Sequence, residues 1–245
     1  MKGNIRLGLL FLVAENDLRQ PQGWRDFLSS AVDEIDIYCH SKQPINPDSL
    51  LSGREIREIH ETTWGDFGVV LAMHALLRAA IGNPDLTHFM FVSESCIPIK
   101  SWTEIKSALA IDSRSRIDWK SWLQMNQDQR DRKATTKISK SFWVSHSTWL
   151  LLNREVVEFL LEHDSAMSMF DNIPCADEHA IGGTLLIHGF DMSKVNRTST
   201  TWARWSGKMH PDTIHVATPE LVRQWKDYPG FFARKFSSNC NVPRV

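Results

Sequence analysis

Three small clusters in this chain carry side chains suited to chemistry. Asp177 and Glu178 stand side by side ahead of an apolar stretch. A carboxylate set in a pocket can take a proton from a reacting hydroxyl, an effect worth ~10²–10⁴-fold in rate. On a helix the two would project about a hundred degrees apart, so only one would face a ligand. The pair equally suits the acidic first turn of a helix, where the dipole favours negative charge. Arg234 and Lys235 form the second cluster, with Phe231, Phe232 and Phe236 around them. Two fixed cations can neutralise charge developing on a phosphate. Neighbours on an extended strand point to opposite faces, so both would reach one ligand only at a turn or strand end. An ordinary exposed pair is the alternative. The third cluster, Ser93-Glu94-Ser95, follows an apolar run and can hydrogen-bond hydroxyl groups, or Glu94 can simply form a salt bridge. The chain also holds ten Trp against two Tyr. Their flat apolar faces suit either stacking on a sugar ring or filling a core, and Trp64, Trp149, Trp202 and Trp205 are the stacking candidates.

The elements that would position these groups can be read from hydrophobic pattern. Residues 5–13 are a buried-strand run, 22–32 show helical spacing, and 36–39 form a second strand ending in the polar turn from His40 to Pro44. A strong helix spans 66–81 and is stopped by Gly82-Asn83-Pro84. A third strand covers 88–92 and a short helix 102–110. This alternation predicts a parallel sheet with crossover helices. Ligands in such sheets bind beyond the carboxyl ends of the strands, which marks the loops after Cys39 and Val92. Residues 112–140 read as a solvated loop with a basic stretch from Arg130 to Lys140, able to meet an anionic acceptor. Residues 141–152 read as two short strands turning at His146-Ser147. Helices follow at 155–163, 177–187 and 219–226, and short strands at 200–205, 214–216 and 231–236.

The bulk numbers set limits. A chain of 245 residues with 42% hydrophobic and 23% charged residues suits one globular domain spanning 1–245. A formal net charge of -1 lacks the basic excess of a nucleic-acid-binding surface. The four Cys form no C-x-x-C pair, so a structural zinc site or disulfide framework is not expected, and Cys39 and Cys96 read as buried thiols. The apolar run at 7–14 is too short to span a membrane, and with reduced cysteines it points to a cytoplasmic protein, bacterial or viral rather than Golgi-luminal. The phosphate-binding glycine motifs, H-E-x-x-H and G-x-S-x-G are absent. So is Asp-x-Asp; Glu34-Ile35-Asp36 imitates it but falls at a strand.

Four blocks together resemble the core-2/I-branching glycosyltransferase family, which includes the protein O-xylosyltransferases and branching N-acetylglucosaminyltransferases. They are Thr63-Trp64-Gly65-Asp66 with the helix after it, Phe91 to Ile99, Ser147 to Arg154 with Ala176-Asp177-Glu178-His179, and Asn196-Arg197-Thr198 with Trp202, Trp205 and Phe231-Phe232-Ala233-Arg234-Lys235-Phe236. The similarity runs from about residue 5 to 237. It implies an α/β fold: a single GT-A-type, Rossmann-like domain with a central, mostly parallel sheet. It implies inverting transfer from a UDP-sugar, xylose or N-acetylglucosamine, to a glycan hydroxyl, with no metal or other cofactor. Glu178 becomes the general base. Arg234 and Lys235 hold the departing diphosphate, with His40, Lys42 and Ser93 on the nucleotide side. Glu94, Thr148, Trp149, Trp64 and Trp202 face sugar or acceptor. Two departures stand out: His40-Ser41-Lys42 replaces an aspartate-bearing turn, and Thr148 stands where xylosyltransferases carry an acid. His179 and His210 read as structural histidines. Asn196-Arg197-Thr198 is either a glycosylation sequon or a polar contact near the diphosphate. Two other functions fit the same residues: a non-catalytic carbohydrate-binding scaffold, and a glycoside hydrolase pairing Glu178 with Glu94 or Asp66 about 5–10 Å away.

Overall fold

The computed structural model describes residues 4–207 and 210–242. In chain order its strands and helices are β1 (Leu7–Val13), α1 (Pro21–Ser29), β2 (Ile35–Ser41), α2 (Gly68–Ile81), β3 (His88–Ser93), β4 (Ile97–Pro98), α3 (Trp102–Ile111), β5 (Ser115–Arg116), α4 (Gln127–Asp131), β6 (Leu151–Asn153), α5 (Arg154–Glu162), α6 (Ala180–Ile187), β7 (Val195–Asn196), β8 (Thr201–Ala203), β9 (Ile214–Val216), α7 (Pro219–Asp227), β10 (Phe232–Arg234) and β11 (Phe236–Asn241).

The central sheet has the strand order β2-β1-β3-β6-β5-β7. β1 lies parallel to β2 and β3, β6 runs antiparallel to β3 and β5, and β7 is parallel to β5. This is the mostly parallel α/β, GT-A-like architecture expected. The side chains of β1 explain its central place. Leu7, Leu9 and Phe11 pack on one face with Trp24, Phe27, Trp102 and Ile105 of α1 and α3. Leu10 packs on the other with Met73, Leu76 and Leu77 of α2 and with α5 and α6. A strand buried on both faces must be apolar at every position rather than alternating.

A second sheet, β4-β10-β8, carries the C-terminal segment across the end of the first. Its β10 is tied into the core. The Phe232 ring stacks on Trp24 at 5.7 Å, and Trp24 Nε1 donates to the Cys96 carbonyl at 2.9 Å. A smaller parallel pair joins β9 and β11.

Three expectations change. Residues 112–140 are not one solvated loop: Ile117, Met125 and Ile138 are buried anchors, spaced too far apart to show a period, and the chain between them folds into β5, α4 and flanking 3-10 turns. Residues 141–152 give one strand, β6, and a lone bridge from Ser145 to Lys120. The helix expected from 177 begins at Ala180. Asp177 and Glu178 lie in a separate 3-10 turn, Ala176–Glu178, because Cys175 adopts a left-handed backbone (φ 54) and His179 breaks the helical path.

Candidate active site

The carboxyl ends of β1, β2 and β3 open onto a cleft of about 1290 Å³, lined there by Val13, His40, Lys42, Ser93 and Glu94. The remaining walls come from the chain before α2, the segment around α4, residues 145–149, the 175–178 turn, and the stretches around β8 and β10. All eleven residues singled out from the sequence line this one cleft: Glu178, Arg234, Lys235, His40, Lys42, Ser93, Glu94, Thr148, Trp149, Trp64 and Trp202.

Glu178 is fixed by its backbone first. Its carbonyl accepts from the His146 amide at 2.8 Å, and its amide donates to Cys175 O at 2.9 Å. The Cys175 amide donates to Gly65 O at 2.7 Å, fastening this turn to the loop before α2. Gly65 makes that possible with φ at 79°, a backbone open to glycine at little cost. His146 props the turn from behind. Its Nε2 accepts from the Gly182 amide at 3.1 Å and its Nδ1 faces Ser147 O at 3.0 Å, so the ring is neutral with the proton on Nδ1. Burial holds its pKa down to about 4.

Three charges meet at Glu178. Arg132 Nη1 lies 2.6 Å from Glu178 Oε2, while Arg132 Nη2 lies 2.6 Å from Asp128 Oδ2. Asp177 sits alongside. Burial raises the Glu178 pKa above the usual carboxylate value, the Asp177 charge adds to this, and Arg132 opposes both. Asp177 also lines the cleft beside Glu178, against the expectation that only one of the two acids would face a ligand. Its Oδ2 accepts from Thr148 Oγ1 at 2.6 Å, and burial raises its pKa against that bond. The acid missing at position 148 is thus answered by a hydroxyl gripping one next to Glu178.

Arg234 closes β10 and Lys235 falls in the break before β11, the strand-end placement that lets both face one cleft. The backbone there is pinned by Phe236 N donating to Ser95 O at 3.0 Å and Ile214 N donating to Lys235 O at 2.7 Å. The Arg234 guanidinium lies 4.2 Å from the Trp149 ring centroid, and its buried Nε has no partner among the described residues. Burial lowers the pKa of both cations, and for Lys235 the charge of Arg234 adds to it. Arg234 therefore covers Trp149, which lines the cleft while packing against the core. Glu94 is 7% exposed, with its pKa raised by burial, and Ser93 Oγ pairs with Ser95 Oγ at 2.9 Å.

His40 accepts the His60 amide on Nε2 at 2.9 Å, and burial lowers its pKa, so it meets the cleft neutral. Trp64 stands 61% exposed at the cleft, edge-on to His210 at 4.6 Å, while Trp202 leans on Trp225. The structural reading of His210 is thereby corrected: it lies exposed on the cleft lining. His179 is buried, with Nδ1 on Val144 O at 2.7 Å and its ring on Trp143. Asn196-Arg197-Thr198 lies away from the cleft. Asn196 bonds Asp112 and Thr198, and Arg197 covers Trp119, so the contact with a diphosphate is not found. Glu34 is taken by Lys106 and Trp102 on α3.

Comparison with known proteins matches residues 8–226 to the family model described as Core-2/I-Branching enzyme. The chain belongs to the core-2/I-branching enzyme family. A curated relative, "Glycosyltransferase BC10" from Oryza sativa subsp. japonica, is 24% identical over 274 residues, covering 94% of this chain and 68% of that protein. This chain is accordingly a glycosyltransferase of the core-2/I-branching family. Among the described residues no helix is long and apolar enough to cross a membrane. The relative is a plant protein, and a bacterial or viral setting gains no support from it.

Proposed function

We propose that this core-2/I-branching enzyme transfers a sugar from a UDP-sugar to a hydroxyl of a glycan acceptor, with inversion and without a divalent metal. The observation that carries the reading is that Glu178, Arg234 and Lys235 face one cleft at the carboxyl ends of the strands. The acceptor hydroxyl gives its proton to Glu178 as its oxygen bonds to the anomeric carbon. The bond from that carbon to UDP breaks, and the charge gathering on the β-phosphate oxygen meets Arg234 and Lys235. Cations already in place cost no reorganisation when that charge appears. A carboxylate whose pKa sits above the usual range is a better proton acceptor near neutral pH. Two cations on one stretch of the lining, Arg234 and Lys235, support an anion at that end of the cleft.

In this reading His40, Lys42 and Ser93 hold the nucleotide, and Glu94, Thr148, Trp149, Trp64 and Trp202 meet sugar and acceptor; all of them line the one cleft. Xylose and N-acetylglucosamine are the leading donors. Of the two partners a hydrolase would offer Glu178, Asp66 is not in the cleft lining and accepts from the Thr63 amide at 2.8 Å, which leaves Glu94 alone for that reading. The test is turnover of a panel of UDP-sugars in EDTA. We expect at least one donor to be used and Glu178→Gln to lose transfer. Complete loss in EDTA overturns the metal-free mechanism, and an unchanged rate in Glu178→Gln removes the base. UDP binding without any turnover across donors and acceptors would mark a scaffold.

A further inference from the structure

Arg132 came out of a stretch that reads as solvent-facing, yet its side chain is only 13% exposed and its guanidinium is shared between Glu178 and Asp128. We infer that Arg132 is the positioning residue of the transfer reaction, holding Glu178 charged and aimed into the cleft. This rests on reading Glu178 as the base. The geometry makes the need plain. Glu178 is two-thirds covered and stands next to Asp177, and two adjacent desolvated carboxylates tend to share a proton. A protonated Glu178 accepts nothing from an acceptor hydroxyl. Every charged group facing it bears on this balance. Asp177, on its own turn, and Asp128, on α4, favour the protonated form, and Arg132 favours the carboxylate.

The bond leaves room for catalysis. Arg132 takes Glu178 Oε2, so Oε1 stays open to a hydroxyl. Asp128, on the same segment as Arg132, takes the other guanidinium nitrogen and fixes the fork. Lysine cannot reproduce this, since it offers a point charge in place of a planar two-pronged donor. The neighbouring histidines add no charge: His146 and His179 are both held neutral by burial, near pKa 4 and 3.

The measurement is a 13C NMR titration of the full chain labelled at glutamate side-chain carboxyl carbons, with the Glu178 signal identified by its loss in E178Q. In R132A the Glu178 midpoint rises by about one pH unit or more, the scale of losing an adjacent opposite charge. In R132K it falls between wild type and R132A, and in D177N it moves down instead. An unmoved midpoint in R132A, with the other glutamate signals intact, overturns the inference. The link to reaction is read from kcat/KM against pH with the UDP-sugar that the donor panel identifies. The acidic limb of R132A should shift upward with the NMR midpoint while KM for the donor stays put. If E178Q is inactive and that limb does not move, the role of Arg132 falls alone. If E178Q keeps its rate, the base reading falls and the role of Arg132 in the reaction with it.

Discussion

At the scale of the residue, the site is a set of opposed charges held in fixed places. Glu178 is pushed towards protonation by burial and Asp177 and pulled back by Arg132. A base works only as a carboxylate, so if Glu178 fills the proposed role kcat/KM should climb as pH rises through a midpoint above the ordinary glutamate value. A rate limb fitted at or below that value would contradict the burial argument. Glu178→Gln should lower kcat by ~10²–10⁴-fold with donor affinity unchanged, the range for a lost general base. At the other end, Arg234→Ala and Lys235→Ala should each weaken UDP binding by ~10–100-fold in calorimetry, the worth of a hydrogen bond to a charged group. Arg234→Lys should not restore binding, because the planar guanidinium also covers Trp149. That Glu178 and the Arg234-Lys235 pair share a cleft was legible only through the ordered set of family-like blocks, since each cluster by itself also suits a helix turn or an exposed pair. Arg132 was not legible. It stands in a stretch from Arg130 to Lys140 with five cations, and only folding selects one of them for an acid 46 positions away.

At the scale of the element, the carboxylate turn is a consequence of close packing. A Cβ on Gly182 would lie 2.8 Å from Val144 Cγ2 and 2.9 Å from His146 Cδ2. Helix α6 can therefore abut the 144–146 segment only without a side chain there. Gly182→Ala should cost about 1–3 kcal/mol, the usual penalty of overpacking, and should depress kcat as well, since His146 carries the Glu178 carbonyl. Gly82→Ala serves as the contrast. There an added Cβ meets Ala79 O at 3.5 Å, an ordinary contact, and stability measured by thermal melting should hardly change. The βαβ half of the fold was readable from pattern, because β1 and β3 carry unbroken apolar runs and α2 is a long, mostly apolar stretch stopped by Gly82-Asn83-Pro84. Residues 112–152 were not, because their order comes from single buried anchors such as Ile117 and Met125 and from long-range bonds such as Trp143 Nε1 donating to Gln129 O at 3.0 Å. The split of 177–187 into a 3-10 turn and a helix was hidden too. A left-handed Cys175 leaves no mark in composition.

At the scale of the molecule, two layers of helices cover a mostly parallel sheet, and the second sheet carries β10 to the end where the strands open. The cleft collects residues from almost the whole length of the chain, from Val13 to Lys235. That breadth is why single motifs said little and the ordered set of blocks pointed to the core-2/I-branching family. In the proposed mechanism side-chain cations, rather than a metal, hold the nucleotide diphosphate. The most direct measurement is titration calorimetry of UDP into the chain in EDTA, with wild type, the Arg234→Ala/Lys235→Ala double variant and Glu178→Gln compared. Wild type and Glu178→Gln should bind UDP alike, and the double variant should lose binding. Binding that appears only after a divalent cation is restored, or that survives the loss of both cations, would contradict that mechanism.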